Sequence, residues 1–367
     1  MISRVILLAA VTLLMGCGKA QLTPVPQPIP TPTPIPTPTP TPGNTLYSSP
    51  DRYSSLGVFD QYTVADTAHG RSIPVLVRYP RGTPAGVKLP IILWSHGGGL
   101  KEDARYGNVD WSTALAGAGY IVVHMSHTPG TPEQINALAL EFGVPLPAVG
   151  SEFQANVFRP RDAIATLNDL PNLENAIPDL KGKFDFERVG MGGHSRGSYT
   201  VRSVECATVS IGPYSDYSFR DTRPLSAAPL ANNTPLSVVP KAYMANSPQG
   251  IGRFNFKSDS WRNCTTPDLT QTGQGDTTPG EEATARPDGY KAMPAGDKYL
   301  MFIADPNTPH ETFNLNNPDQ PLFEDYIRST GTAFFDAYLK GYAAAKSYLK
   351  SGTLEGVSNN VATLSAK

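Results

Sequence analysis

The pentapeptide Gly193-His194-Ser195-Arg196-Gly197 constrains this chain more than any other stretch. An apolar run containing Val189 and Met191 leads into it, and the helix-compatible segment 198–204 follows. A Gly-x-Ser-x-Gly turn between a strand and a helix is the context of a nucleophile elbow, in which the glycines let two backbones approach closely. Ser195 is therefore the candidate nucleophile. Upstream, the buried-type strand Leu89-Pro90-Ile91-Ile92-Leu93-Trp94-Ser95 delivers His96-Gly97-Gly98-Gly99. A glycine-rich loop there can turn backbone amides toward a developing oxyanion.

The rest of the chain alternates strands with helices, which predicts an α/β fold on a mostly parallel central sheet flanked by helices, with loop or lid insertions. Residues 61–66 and 72–79 read as a hairpin whose turn, 68–71, leaves His69 facing solvent. Segment 111–119 reads as a helix and 120–123 as a strand. Residues 128–157 read as a lid or loop insertion. A helix beginning at Phe158-Arg159-Pro160-Arg161-Asp162 carries the core stripe Ala163, Ile164, Leu167 and Leu170 and is expected to end before Pro171, with Arg161 and Asp162 as structural groups. Residues 210–238, irregular and proline-rich, are expected to form part of a cleft wall. Strands follow at 241–245 and 298–304, and a closing helix around Phe334, Phe335, Tyr338, Leu339 and Tyr342 is expected to pack on the sheet. His124 and His127, three apart in extended chain, fall on opposite faces with no further ligands nearby, so no metal site is expected there. His127 is expected to line the pocket.

A serine nucleophile needs an imidazole base oriented by a carboxylate. Of six histidines, His69, His96, His124 and His127 precede Ser195, and His194 lies within the elbow. His310, after the strand 298–304, remains as the base. Asp276, closing the run 269–275 at a glycine turn, is the expected acid, ahead of Asp259, Asp268, Asp288, Asp297 and Asp305. The amides of Gly98 and Arg196 are the expected oxyanion donors.

The N-terminus reads as an export signal: Arg4, the apolar stretch 5–15, then Leu14-Met15-Gly16-Cys17, which has the form of a bacterial lipobox. The expected organisation is a signal peptide over 1–16, a lipidated Cys17 with a Pro/Thr-rich linker over 17–44, a catalytic domain over 45–355 and a flexible tail over 356–367. The linker, in polyproline II geometry, reaches about 60 Å at ~3.1 Å per residue. The expected location is a bacterial membrane, the outer one, through the N-terminal lipid, with the catalytic domain in the periplasm or at the cell surface. With Cys17 committed to the anchor, Cys206 and Cys264 form an even pair in an oxidising compartment, and a disulfide between them is expected. A net charge of −2 without a basic stripe argues against nucleic acid as a partner.

Taken together, Trp94-Ser95-His96-Gly97-Gly98-Gly99, the Phe158 to Asp162 segment, Gly193 to Gly197, Ser247-Pro248-Gln249-Gly250, the Thr272 to Asp276 turn and Met293 to Tyr299 leading to His310 resemble the α/β-hydrolase superfamily. The resemblance is closer to its platelet-activating-factor acetylhydrolase-like, chlorophyllase-like and dienelactone-hydrolase-like branch. It spans about residues 60–345. It implies a serine carboxylic-ester hydrolase without metal or organic cofactor, with Ser195, Asp276 and His310 as triad, acting on a lipid, small-molecule or polyester ester. Gly98, Ser198 and the loops 128–157 and 210–238 depart from the relatives' pattern and bear on substrate preference. Alternatives that use the same residues are a peptidase or acyltransferase; a different class is a catalytically inactive surface binding protein.

Overall fold

The computed structural model describes residues 44–107, 109–220 and 233–367. The signal, Cys17, most of the linker and the middle of the 210–238 segment lie outside the described residues.

Eleven strands and eight α-helices are described. The hairpin β1 (Leu56–Asp66) and β2 (Arg71–Pro80) is followed by β3 (Leu89–Ser95), α1 (Val109–Gly117), β4 (Ile121–Met125), α2 (Pro132–Phe142), α3 (Ser151–Ala176), β5 (Phe184–His194) and α4 (Arg196–Glu205). Then come β6 (Val209–Ile211), β7 (Tyr214–Tyr217), β8 (Ala242–Asn246), β9 (Asp268–Gly273), α5 (Asp288–Ala292), β10 (Lys298–Ile303), α6 (Pro321–Phe335), α7 (Ala343–Tyr348), α8 (Thr353–Val357) and β11 (Ala362–Ala366). Nine strands form one sheet in the order β1-β2-β4-β3-β5-β8-β9-β10-β11. The run from β4 through β10 is parallel, and β1, β2 and β11 are antiparallel additions at the edges.

The central strands read as continuous apolar runs because both faces are covered. In β3, Ile91 and Leu93 join one core cluster with residues of α2, α3 and α4. Their neighbours Ile92 and Trp94 join a second cluster with residues of α1, α6 and α7. The period of two in the strand thus sorts its side chains between two helical layers. Among the described residues no helix is long and apolar enough to cross a membrane.

Three expectations are corrected. Residues 128–157 are not a loop insertion: they hold α2, a short 3₁₀ turn and the first turns of α3. Thr131 caps α2 through a reciprocal pair of bonds with Gln134. Helix α3 neither begins at Phe158 nor stops before Pro171; it runs through both prolines to Ala176. Proline 160 cannot donate to the carbonyl four residues back, but the Tyr199 hydroxyl donates to that Asn156 oxygen at 3.0 Å, so no buried acceptor is orphaned. Finally, residues 356–367 are not a flexible tail. β11 pairs with β10, and the Lys367 carbonyl accepts from the amides of Gly296 and Lys298 at 3.0 and 3.1 Å. Cys206 and Cys264 are disulfide-bonded, their Cα atoms 5.1 Å apart, as expected.

Candidate active site

Ser195 sits between the last residue of β5 and the first of α4 with φ 55° and ψ −124°, a conformation costly for a residue with a β-carbon. The elbow is held in that state from three sides. The Ser195 amide donates to the Asn246 carbonyl at 2.9 Å. The Ser198 hydroxyl lies 2.9 Å from the Gly193 oxygen and 2.6 Å from that of Asn246. A β-carbon on Gly197 would run into the Ser95 carbonyl, and one on Gly193 would lie 2.7 Å from the Gly197 carbonyl carbon. Both motif glycines are therefore demanded by backbone contact with each other and with the end of β3.

His310 opens a 3₁₀ turn in the loop after β10, and Asp276 lies in the loop after β9. Parallel pairing of β9 with β10 brings the two loops together. The His310 Nδ1 proton is donated to Asp276 Oδ1 at 2.7 Å, and Asp276 Oδ2 accepts from the Thr272 hydroxyl at 2.7 Å. Burial pushes the Asp276 carboxyl up, but the His310 bond, the Arg286 charge and the Thr272 bond outweigh it, leaving the group below its usual range. With Nδ1–H bound to the carboxylate, His310 keeps Nε2 as its basic nitrogen. His310 and Ser195 line one cleft, of about 640 Å³, with His96, Gly97, Gly98 and Glu311.

Arg286, which sequence reasoning missed, fastens the Asp276 loop. Its Nε bonds the Asp276 carbonyl at 3.1 Å, and its other donors reach the carbonyls of Ser247 and Pro248, Glu281 Oε2 and Thr278 Oγ1 at 2.9–3.1 Å. His194 supports the His310 loop: its Nε2–H donates to the His310 carbonyl at 3.0 Å. Burial first, then the neighbouring His310, holds the His194 ring down to about 3, so it stays neutral.

The loop after β3 is fixed with equal thoroughness. His96 Nδ1–H donates to the Gly97 carbonyl at 2.6 Å, while His96 Nε2 accepts the His127 amide at 3.3 Å, which sets the tautomer. Because the peptide is trans, pinning the Gly97 oxygen turns the Gly98 N–H the opposite way. Gly98 has φ +73°, and a β-carbon on Gly97 would sit 3.3 Å from Ser195 Cβ. The loop therefore runs directly past Ser195. Arg196 contributes a first-turn amide of α4, a donor with no intrahelical carbonyl to satisfy.

Behind the loop, the structure corrects the place expected for His127. It is wholly buried and does not line the cleft. Its Nε2 accepts from the Ser95 hydroxyl at 2.9 Å and its Nδ1–H donates to Asp162 Oδ2 at 3.0 Å. Arg71 pairs with both oxygens of Asp162 at 2.5 and 3.0 Å. This serine–histidine–aspartate chain resembles a triad in connectivity, but Ser95 is fully buried and reaches no cleft. Arg159, also fully buried, closes the network: it donates to Ser95 Oγ at 3.2 Å, to the carbonyls of Gly98 and Gly99 at 3.2 and 3.3 Å, to Thr200 Oγ1 at 3.1 Å and to the His96 carbonyl. Burial, then the charges of Arg159 and Arg71, keep the His127 ring well below its usual range.

Two further expectations change. His69 is not a solvent-facing bystander; its Nδ1 lies 2.6 Å from Asp66 Oδ2 and its side chain is largely buried. The described part of 210–238 does not wall the cleft either: β6 and β7 pair with each other, and Tyr214 and Tyr217 pack on Phe142. The lining comes instead from residues 98–107, 151–155, 249–254, 278–281 and 310–314. His124, as expected, lies on the other face from His127, stacked on Trp94 at 6.4 Å. Glu205, Cys206 and Cys264 are close enough together to share a metal, but the disulfide leaves no thiolate to ligate one.

No protein-family model matches this chain, and no curated protein matches it.

Proposed function

We propose that this protein is a serine hydrolase of α/β-hydrolase type that cleaves carboxylic esters through an acyl-enzyme. The observation that carries the reading is Ser195, strained at a strand-to-helix turn, sharing one cleft with a histidine already bonded to a buried carboxylate. His310 accepts the Ser195 proton as the oxygen attacks the ester carbonyl. The Gly98 and Arg196 amides hold the oxyanion of the tetrahedral intermediate. His310 then returns its proton to the leaving alcohol, and water, activated by the same nitrogen, releases the acid from Ser195. Asp276 fixes the tautomer and stabilises the imidazolium. In this reading a lipid on Cys17 ties the enzyme to a membrane, with residues 24–42 as spacer.

The test is hydrolysis of a p-nitrophenyl ester series by the full chain and by Ser195→Ala and His310→Ala. Loss of turnover on the order of 10⁴-fold or more in both variants, with unchanged melting, supports the reading. Undiminished turnover in Ser195→Ala refutes it.

A further inference from the structure

Ser195 lies at the junction of two lobes. One, described above, contains His310. The other, of about 380 Å³, is lined by Gly98, Ser195, Arg196, Gln249, Arg253, Phe254 and Glu281 among others, and does not contain His310. If His310 protonates the leaving oxygen, the alcohol must depart on its side, and the acyl group must extend into the second lobe.

One guanidinium of that lobe is left outside the ion pairs. Of its three guanidiniums, Arg286 is matched by Glu281 at 3.0 Å and Asp276 at 3.4 Å, and Arg196 faces Glu152 at 3.7 Å. Arg253 has no carboxylate within ion-pairing distance among the described residues; its guanidinium packs over the Phe254 ring at 4.5 Å, against which Arg196 also stacks at 3.8 Å. The turn presenting Arg253 is strained and firmly anchored. Phe254 and Asn255 both have positive φ, 45° and 66°. Gly250 N donates to Glu281 Oε1 at 2.6 Å, and Gly252 N to the Phe256 carbonyl at 2.8 Å. Two consecutive left-handed residues with side chains are a cost that placement of a functional group can explain. Beside them Gln249, 3% exposed, lines the same lobe with its Oε1 unpartnered among the described residues.

Resting on the ester-hydrolase reading, we infer that the acyl group of the substrate carries a carboxylate, received by Arg253 with Gln249 beside it: the substrate is a half-ester of a dicarboxylic acid. A single guanidinium outside the ion pairs, at the wall of the lobe, suits a monoanion.

The experiment compares p-nitrophenyl hydrogen adipate with p-nitrophenyl hexanoate, equal in chain length and different only in the terminal carboxylate, on the full chain, Arg253→Gln and Arg253→Lys. The native enzyme should favour the adipate by roughly tenfold or more in kcat/KM, as a charge-assisted hydrogen bond provides. Arg253→Gln should abolish that preference while holding the hexanoate rate within about threefold, Arg253→Lys should retain part of it, and added salt should erode the adipate rate alone. Equal or better turnover of hexanoate by the native enzyme overturns the inference, as does an equal loss on both esters in Arg253→Gln with Arg253→Lys unable to restore either. Hexanoate hydrolysis that survives Ser195→Ala instead strikes the underlying reading, and absence of turnover on both esters overturns both.

Discussion

Replacing Arg159 by methionine keeps the length of the side chain and removes every donor. Three of the acceptors it leaves, Thr200 Oγ1, Ser95 Oγ and the His96 carbonyl, are buried with the arginine itself, and the two hydroxyls keep bonds of their own to the Arg196 carbonyl and to His127 Nε2. The carbonyls of Gly98 and Gly99 belong to a loop that borders the cleft, where water can replace the lost bonds. The His96 carbonyl is the buried acceptor left without this partner, so at about 1–3 kcal/mol for such a group the variant should lose ~2 kcal/mol of stability. The loss in catalysis has a separate origin. Arg159 grips the loop on both sides of the peptide that presents the Gly98 amide, so releasing it lets that donor drift from the oxyanion. Removal of one such donor costs about 10²–10³ in kcat. Steady-state kinetics on a p-nitrophenyl ester should therefore show kcat reduced on the order of 10²-fold with KM within about threefold, and Arg159→Lys should fall between methionine and the native enzyme. A methionine variant that melts lower but keeps its kcat would confine the network to stability and refute its link to the oxyanion loop.

Two other outcomes follow from groups away from the cleft. Glu205 is buried, and burial, opposed mainly by Arg202, pushes its carboxyl up from 4.5 to about 7. The folded state then holds its proton more tightly than the unfolded chain, so the contribution is undiminished below the unfolded value and is lost as pH rises through about 7. Relative to the native protein, Glu205→Gln should gain up to about 3 kcal/mol between pH 5 and pH 8, roughly 5 °C in Tm by scanning calorimetry; a pH-independent difference would contradict this. The disulfide closes a loop with a sequence separation of 58. Replacing Cys206 and Cys264 by serine should cost about 4 kcal/mol on the chain-entropy scale, read as a lower urea midpoint, while ester hydrolysis under native conditions is retained.

The triad candidates were legible because each is tied to a local signal. The elbow glycines announce a backbone contact, the glycine turn after β9 marks Asp276, and chain order leaves His310 as the one histidine beyond the nucleophile. What escaped is made by convergence. Arg286 and Arg159 act on carbonyls from loops 10–63 residues away in sequence, and their neighbours give no hint of it. His127 follows a strand that does end at the cleft, yet α3 covers the face its ring occupies, and Asp162 on that helix claims Nδ1. The proline at 160 argued for a helix start, and only Tyr199, on another helix, explains why α3 continues through it. Helix α2 did carry a signal, the Thr131 and Gln134 capping pair with Pro132 between them, inside a segment otherwise rich in turn residues. The last strand is short, with small polar residues typical of a sheet edge, and its pairing with β10 cannot be read from its own composition.

The most direct measurement is covalent labelling with an alkyl fluorophosphonate followed by peptide mass spectrometry. A serine activated by His310 displaces fluoride and becomes phosphonylated. The account predicts one adduct, on Ser195, strongly slowed in His310→Ala and absent in Ser195→Ala. A folded native protein that takes no label, or takes it on a residue other than Ser195, would contradict the claim that this elbow holds a catalytic nucleophile.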